Sequence, residues 1–448
     1  MNERTVRRNQ FAYIIEAALE YFISLLVAGA YLSTLLKAGG FSDGDIGLIT
    51  QLASVTLVAQ LVSVFYKRRR FKNFCIVLHL VQQALFVFLY IVPSSPLPAW
   101  IKSTSFVVFF LLGKIVENLV SPYKLSWLMS YVPDKSRGRF TANKEIVSLA
   151  GGMLFTYAMG AMSDHYKAAG DLQTSFVICA LTVTVLAVFH TVSLVAVREE
   201  KSEKREKGGG FTGFADIVAT VKNKTILKLI FIDVLWHLAV GVSVSFFATY
   251  QIGELGFSMK FVAINTAAYS IVRIAFSRYF GTLADKTSWT HMITICFGVA
   301  CAAFALNAFT KPLAGSLDIP LSFLPFFGKK VVFRLTYAKI MYTLHYCLYG
   351  VSLAGINSGL MNIIFDFVPH EKRPAALGIK NTAAGVAAFA AAIVGRELLN
   401  AIQHDGNRFF GFELYAQQVL SALSALIILV LIFYIRRVVK PLNDRKSN

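Results

Sequence analysis

The chain has 448 residues, 56% of them hydrophobic and only 15% charged, and its mean hydropathy is +0.59. That is far too apolar for a soluble globular domain, so lipid is its main solvent. Lys and Arg outnumber Asp and Glu by 44 to 25, but the positives are spread over many short loops instead of one face, which excludes a nucleic-acid surface.

A helix crosses the hydrocarbon core with about 20 apolar residues. Twelve stretches qualify: 11–38, 44–66, 72–92, 101–131, 138–163, 173–197, 226–252, 258–283, 290–310, 334–367, 373–402 and 412–437. The first carries Tyr13, Glu16, Glu20, Ser24 and Tyr31 on one stripe, because positions three or four apart share a helix face. Its length, its two acids and its lack of a small-residue cleavage site mark a retained helix, not a signal peptide. The fourth stretch brings Lys114, Glu117, Asn118, Ser121 and Lys124, with Pro122 as a local break. In the fifth, Ser148, Gly152, Thr156 and Gly160 recur at every fourth position, the spacing that lets helices pack closely in lipid. His79 and His190, each alone on an apolar face, read as packing residues.

A charged run from Arg198 to Lys207, then Gly208-Gly209-Gly210, divides the chain into a half at 1–198, a linker at 199–225, a half at 226–440 and a tail at 441–448. Phe214, Ile217, Val218 and Val221 beside Lys222 and Lys224 fit either a short surface helix or a disordered linker. The seventh stretch spaces Asp233, His237, Gly241, Ser245 and Thr249 by four, and the eighth holds Arg273. The tenth adds Lys339, Tyr342, His345, Tyr346 and Asn357, and the eleventh adds Lys380 with Ala384, Ala388 and Ala392. Arg396 and Glu397, near a helix end, read as interface anchors. Cys75, Cys179, Cys296, Cys301 and Cys347 all fall inside helices without ligand spacing and read as packing residues.

The two halves echo each other. Val132-Pro133-Asp134-Lys135-Ser136-Arg137 matches Val368-Pro369-His370-Glu371-Lys372-Arg373 at an interval of 236, which also sets Lys144 on Lys380. Gly40-Phe41-Ser42 matches Gly256-Phe257-Ser258 at an interval of 216. The intervals differ by 20 residues, and the Pro-rich stretch from Lys311 to Lys330 is the place for that insertion. Duplication on this scale marks a repeat-built membrane transporter. Basic residues gather at the termini, at 67–72, at 135–139, in the linker, at Arg278 and Lys286, and at Lys372 and Arg373. Short basic loops stay inside, which predicts a multi-pass cell-membrane protein with both termini cytoplasmic.

Between the eighth and ninth stretches, Gly281-Thr282-Leu283-Ala284-Asp285-Lys286 carries the inner-loop motif G-x-L-A-D-R/K, without its second Gly-basic part. The first-half copy is Phe65-Tyr66-Lys67-Arg68-Arg69-Arg70, which has neither Gly nor Asp. With the duplication and twelve spans in two sixfold halves, the chain resembles the major facilitator superfamily of secondary transporters over nearly its whole length. The resemblance implies an all-α polytopic fold around a central cavity lined by the first, fourth, seventh and tenth helices. It also implies that the fifth and eleventh helices line the seam between halves. Its gate would be Asp285 facing the start of the fifth helix near Arg137 and Arg139, with Gly281 permitting close approach and Arg373 at the same rim.

Ionisable groups inside a bilayer usually face a cavity and each other. Glu16, Glu20, Lys114, Glu117, Asn118, Asp233, His237, Arg273, Lys339, His345, Asn357 and Lys380 are therefore the expected solute- and proton-coupling residues, against a structural reading in which Glu16 pairs with Arg7 or Arg8 and Lys114 with Glu117. Mixed signs suit a small polar solute, moved with a proton or with sodium. Efflux of drugs or metabolites, an uncoupled facilitator and a non-transporting sensor are the other readings. Neither an enzyme's nucleophile or metal-ligand motif nor a phosphate loop is present in the sequence, so no cofactor is expected. A monomer in the bilayer is expected.

Overall fold

The computed structural model describes residues 3–62, 72–129, 131–132, 137–198, 218–313, 315–320, 332–368 and 373–442. Within them 11 helical stretches are long and apolar enough to cross a membrane. The second expected span is the exception: it runs as an α-helix Asp43–Val55 and a 3-10 helix Thr56–Leu61. The others are Lys72–Ile91, Ala99–Met129, Arg137–Ala168, Leu172–Ala196, Met259–Lys286, Trp289–Asn307, Tyr337–Phe367, Arg373–His404 and Ala416–Tyr434, plus the broken first and seventh spans. The stripe Val177, Leu181, Val185, Val188, Val192 and Val195 on the sixth span is exposed at helical spacing and apolar, the face a lipid neighbour covers.

The echoes have become geometry. Gly40 and Gly256 both adopt positive φ, at 88° and 63°. Ser42 and Ser258 then cap the second and eighth spans, their hydroxyls accepting from the amides of Asp45 at 3.1 Å and Phe261 at 3.2 Å. The first span breaks between Leu26 and Gly29, and the seventh changes at Val244–Phe246 from α to 3-10. Val27 and Ser243 stand the same 216 residues apart as the two glycines, so each half breaks its leading helix at one repeat position.

The expected insertion is a β-hairpin, Ser316–Pro320 antiparallel to Val332–Thr336. A second small hairpin pairs Arg408–Phe409 with Phe412–Glu413. Both connect successive spans, and the spans are all helical. Residues 218–222 are helical, covering the end of the expected surface helix. The rest of that segment, the charged linker and the last residues of the tail lie outside the described residues.

Among the described residues the halves meet at one end only. Near the termini each half has its own core: Ala12, Tyr13, Cys75, Trp127 and Leu194 in the first, and Ile226, Trp236, Met292, Ile364 and Ile435 in the second. At the far end one cluster joins both halves, with Leu32, Leu36 and Ile46 packed alongside Tyr250, Phe257, Phe261 and Tyr342. The molecule is therefore closed at the end opposite the termini. Gly160 packs against the backbone of Met259 and Lys260, and Gly385 against the carbonyl of Ser54, so the seams run between the fifth and eighth spans and between the eleventh and second.

The small-residue ladders divide their work. Gly152 receives Tyr21 and Leu25 of the first span, and Ala388 lies against Gly241 of the seventh, both inside one half. At the seams, Gly160 and Gly385, beside Ala384, touch the opposite half.

Candidate transport site and gates

The acidic stripe of the first span is buried against the fourth. Lys124 places its ammonium 2.8 Å from Glu16 Oε1 and also bonds Glu20. Glu16 is wholly buried, with Lys124 and His190 as its partners where Arg7 or Arg8 was the expected one. Removing a charge this deep from water demands a partner, and a tethered ammonium between two carboxylates supplies it.

The two histidines read as packing residues belong to this cluster. His190 Nε2 lies 3.1 Å from Glu16 Oε1, and Gln83 Nε2 donates to His190 Nδ1 at 2.8 Å. His79 Nδ1 lies 2.9 Å from Gln82 Oε1, while Gln82 Nε2 donates to Glu117 at 3.2 Å. Lys114 pairs with Glu117 at 2.9 Å, the structural ion pair, and Asn118 bonds Gln60 and Thr56 of the second span. One network thus links the first, third, fourth and sixth spans. A sequence signal existed: His79, Gln82 and Gln83 recur at i, i+3 and i+4, a polar stripe that a lone-histidine reading overlooks.

In the second half Asp233 is buried, and Lys380 of the eleventh span brings its ammonium to 3.1 Å from Oδ2. That contact lacks hydrogen-bond alignment, so both carboxylate oxygens remain without a hydrogen-bond partner. His237 Nδ1 bonds the Asp233 carbonyl at 2.9 Å and lies 3.6 Å from Oδ1.

The remaining expected residues stand apart from both clusters. His345 is fully buried, its Nδ1 donating to the Ala303 carbonyl at 2.8 Å among Phe247, Phe304, Tyr342 and Tyr349. Lys339 lies over the Phe261 ring at 5.2 Å, Arg273 is half-buried beside Tyr269, and Asn357 is exposed. These four do not converge on a common point: Lys339 and Asn357 are about 27 Å apart along one helix, His345 is packed among aromatic rings, and Arg273 is on the eighth span.

The side chains of Arg137, Asp285 and Arg373 lie outside the described ones. Gly281 has no atom within 4 Å of where a Cβ would stand, which fits halves that are apart at that end. The contacts that do hold the halves together are at the other end, and sequence reasoning missed them. Asp164, on the fifth span, accepts from the amides of Met259 and Lys260, both at 2.8 Å, at the start of the eighth span. A carboxylate on a helix N-terminus satisfies free N–H groups and meets the positive end of the dipole. Arg396 pairs with Asp45 at 2.6 Å across the other seam, a cross-seam role in place of an interface anchor. Gln403 donates across the same seam to Asp43 of the first half at 3.4 Å, and to Glu254 of its own half at 3.0 Å.

Two broken-helix halves, buried charge in each and one closed end define a polytopic carrier of the alternating-access kind. The family model of the Major Facilitator Superfamily matches residues 11–331, and the chain belongs to that superfamily. No curated protein matches. Among solved structures, a variant of the nucleoside transporter NupG is similar with TM-score 0.72 and 14% identity, covering 96% of this chain and 99% of that one. An inward-facing bacterial homologue of the iron transporter ferroportin has TM-score 0.63 and 13% identity, covering 96% and 99%. A D-xylose-proton symporter has TM-score 0.62 and 15% identity, covering 94% and 96%. At these identities the likeness is one of fold. The protein is a secondary transporter of this superfamily, a multi-pass membrane protein.

Proposed function

We propose that the protein takes up a small polar solute together with a proton, with both termini cytoplasmic and the present state open to the cytoplasm. The observation that carries this reading is Asp233: a buried carboxylate held by charge to Lys380, with both oxygens free of hydrogen bonds. Protonating Asp233 neutralises the carboxylate and releases the Lys380 ammonium from the pair, so that the ammonium is free to turn toward solute or solvent as the halves rearrange. A proton entering with the membrane potential contributes about 2.3 kcal/mol per 100 mV. Glu16 and Glu20 were expected to share this role, but Lys124 ties them up, so the coupling is assigned to Asp233 with His237 and Lys380. The proton symport of the structurally similar xylose carrier supports a hydroxyl-rich solute such as a sugar.

The test is a thermal-stabilisation screen of purified protein over sugars, nucleosides, amino acids and organic acids at two pH values, followed by uptake of the stabilising solute into proteoliposomes. Expected is accumulation driven by an inward proton gradient, lost in Asp233→Asn while solute exchange persists. Accumulation unchanged in Asp233→Asn, or indifferent to the gradient in the native chain, would overturn the reading.

A further inference from the structure

The cluster in the first half carries more ligating chemistry than an ion pair needs. Glu16, Glu20, His79 and His190 each present a ligand atom, and these atoms all lie within 4.8 Å of one another. Two atoms in the cluster have no partner although their residues are 0% and 1% exposed, namely Glu16 Oε2 and His79 Nε2. The His79 ring is already set for ligation. Its Nδ1 donates to Gln82 Oε1 at 2.9 Å, which leaves the lone pair on Nε2.

His190 has the same support one residue further along. Gln83 meets His190 Nδ1 at 2.8 Å through its amide nitrogen, and the amide oxygen is buried without a partner. Turning that amide over lets Oε1 accept from Nδ1–H and frees Nε2 for an ion. The two amide orientations differ little in shape, so the turn demands no rearrangement. Histidines that bind metals almost always donate their other ring N–H to an oxygen in this way. Adjacent glutamines on the third span therefore supply both outer partners, each to a different histidine.

We propose that Glu16, Glu20, His79 and His190 form a binding site for a divalent transition cation of the Mn2+, Fe2+ and Zn2+ class. Two imidazoles and two carboxylates suit these ions, whereas Mg2+ and Ca2+ prefer oxygen throughout. Lys124 is the tethered competitor. Its ammonium rests on both carboxylates, 2.8 Å from Glu16 Oε1, and on ion entry it turns away, exchanging one positive charge against two carboxylates for two. Glu20, with its side chain 33% exposed, is the open edge through which the ion arrives. The site lies in the other half from Asp233, so its failure leaves the proton-coupled reading standing.

The test uses the full-length protein in detergent, stripped with chelator and titrated calorimetrically with Zn2+, Mn2+ and, as control, Mg2+. Expected is one saturable Zn2+ or Mn2+ per chain with Mg2+ much weaker. Glu20→Gln at the accessible edge and His79→Gln should each weaken binding by about tenfold or more, Gln82→Leu by about tenfold through its histidine, and Lys124→Met should tighten it. Absence of a one-to-one isotherm, Mg2+ binding as tightly as Zn2+, or affinity unchanged in both Glu20→Gln and His79→Gln would overturn the proposal. Because Glu20 is partly exposed, its variant reads binding even where a fully buried substitution fails to fold.

Discussion

In the second half, Lys380 reaches across from the eleventh span to the carboxylate of Asp233 on the seventh. At the repeat-equivalent place in the first half, Lys144 meets Tyr13 instead, 3.4 Å from its hydroxyl and 4.9 Å above its ring. The acids of that half answer to Lys124 of the fourth span, and the residue 236 positions after Lys124 is Leu360, which is buried and apolar. The backbone kept its pseudo-symmetry down to the caps and helix breaks, while the charge wiring diverged completely. Helix geometry in lipid is constrained by backbone hydrogen bonding and close packing at small residues. A charge needs only some partner nearby, so it can change partner without changing the fold.

That contrast can be broken from either side. Lys124→Met strands two carboxylates, one of them fully buried, and should cost about 3–5 kcal/mol of stability. Lys380→Met should cost less, because its contact with Asp233 lacks hydrogen-bond alignment and His237 remains beside the acid. Reversible unfolding in mixed detergent compares the two, and equal losses would erase the distinction between the halves.

A second comparison sets the closed end against the open one. Gly385→Leu drives a side chain into the Ser54 carbonyl at the seam and should destabilise the closed end by about 1–3 kcal/mol, as overpacking does. Gly281→Leu, at the other end, meets open space and should leave this state folded while hindering closure there. Alkylation of single cysteines on either side reports which end is open. Asp164→Ala removes the carboxylate that accepts from the first amides of the eighth span, leaving the Ser258 cap, and should weaken the closed end by about 0.5–2 kcal/mol, seen as greater labelling from the far side. Arg396→Ala breaks a partly exposed pair and should shift the same equilibrium by only about 0.2–1 kcal/mol, less at high salt.

The fold was largely legible in the sequence because membrane spans announce themselves by length and the repeat announces itself by spelling. Gly40-Phe41-Ser42 and Gly256-Phe257-Ser258 turned out to be two copies of one turn and cap. The second span was less legible than its apolar run implied, since Thr56–Leu61 tightens to 3-10 geometry. The site was legible by residue type but not by partnership. Stripe arguments put Glu16, Glu20 and Lys124 on inward faces, yet which helices face each other at a given depth is a tertiary fact, and so the sequence alone reads His79 and His190 as packing residues, not as members of the cluster. The latch at Asp164 was invisible for a related reason: its partners are backbone amides, which carry no residue signature. Lys339 and Arg273 show the converse, charged residues that stand beside aromatic rings, Phe261 and Tyr269, instead of joining either cluster.

Concentrative uptake against a solute gradient, with and without an imposed proton gradient, comparing Asp233→Asn with Lys144→Met, bears most directly on the division of labour between halves. Lys144 is the repeat counterpart of the lysine that holds Asp233, so the pair samples the same depth in both halves. The expected result is that Asp233→Asn exchanges solute but no longer accumulates it, whereas Lys144→Met still accumulates in response to the proton gradient. Accumulation by Asp233→Asn at the native level would contradict it.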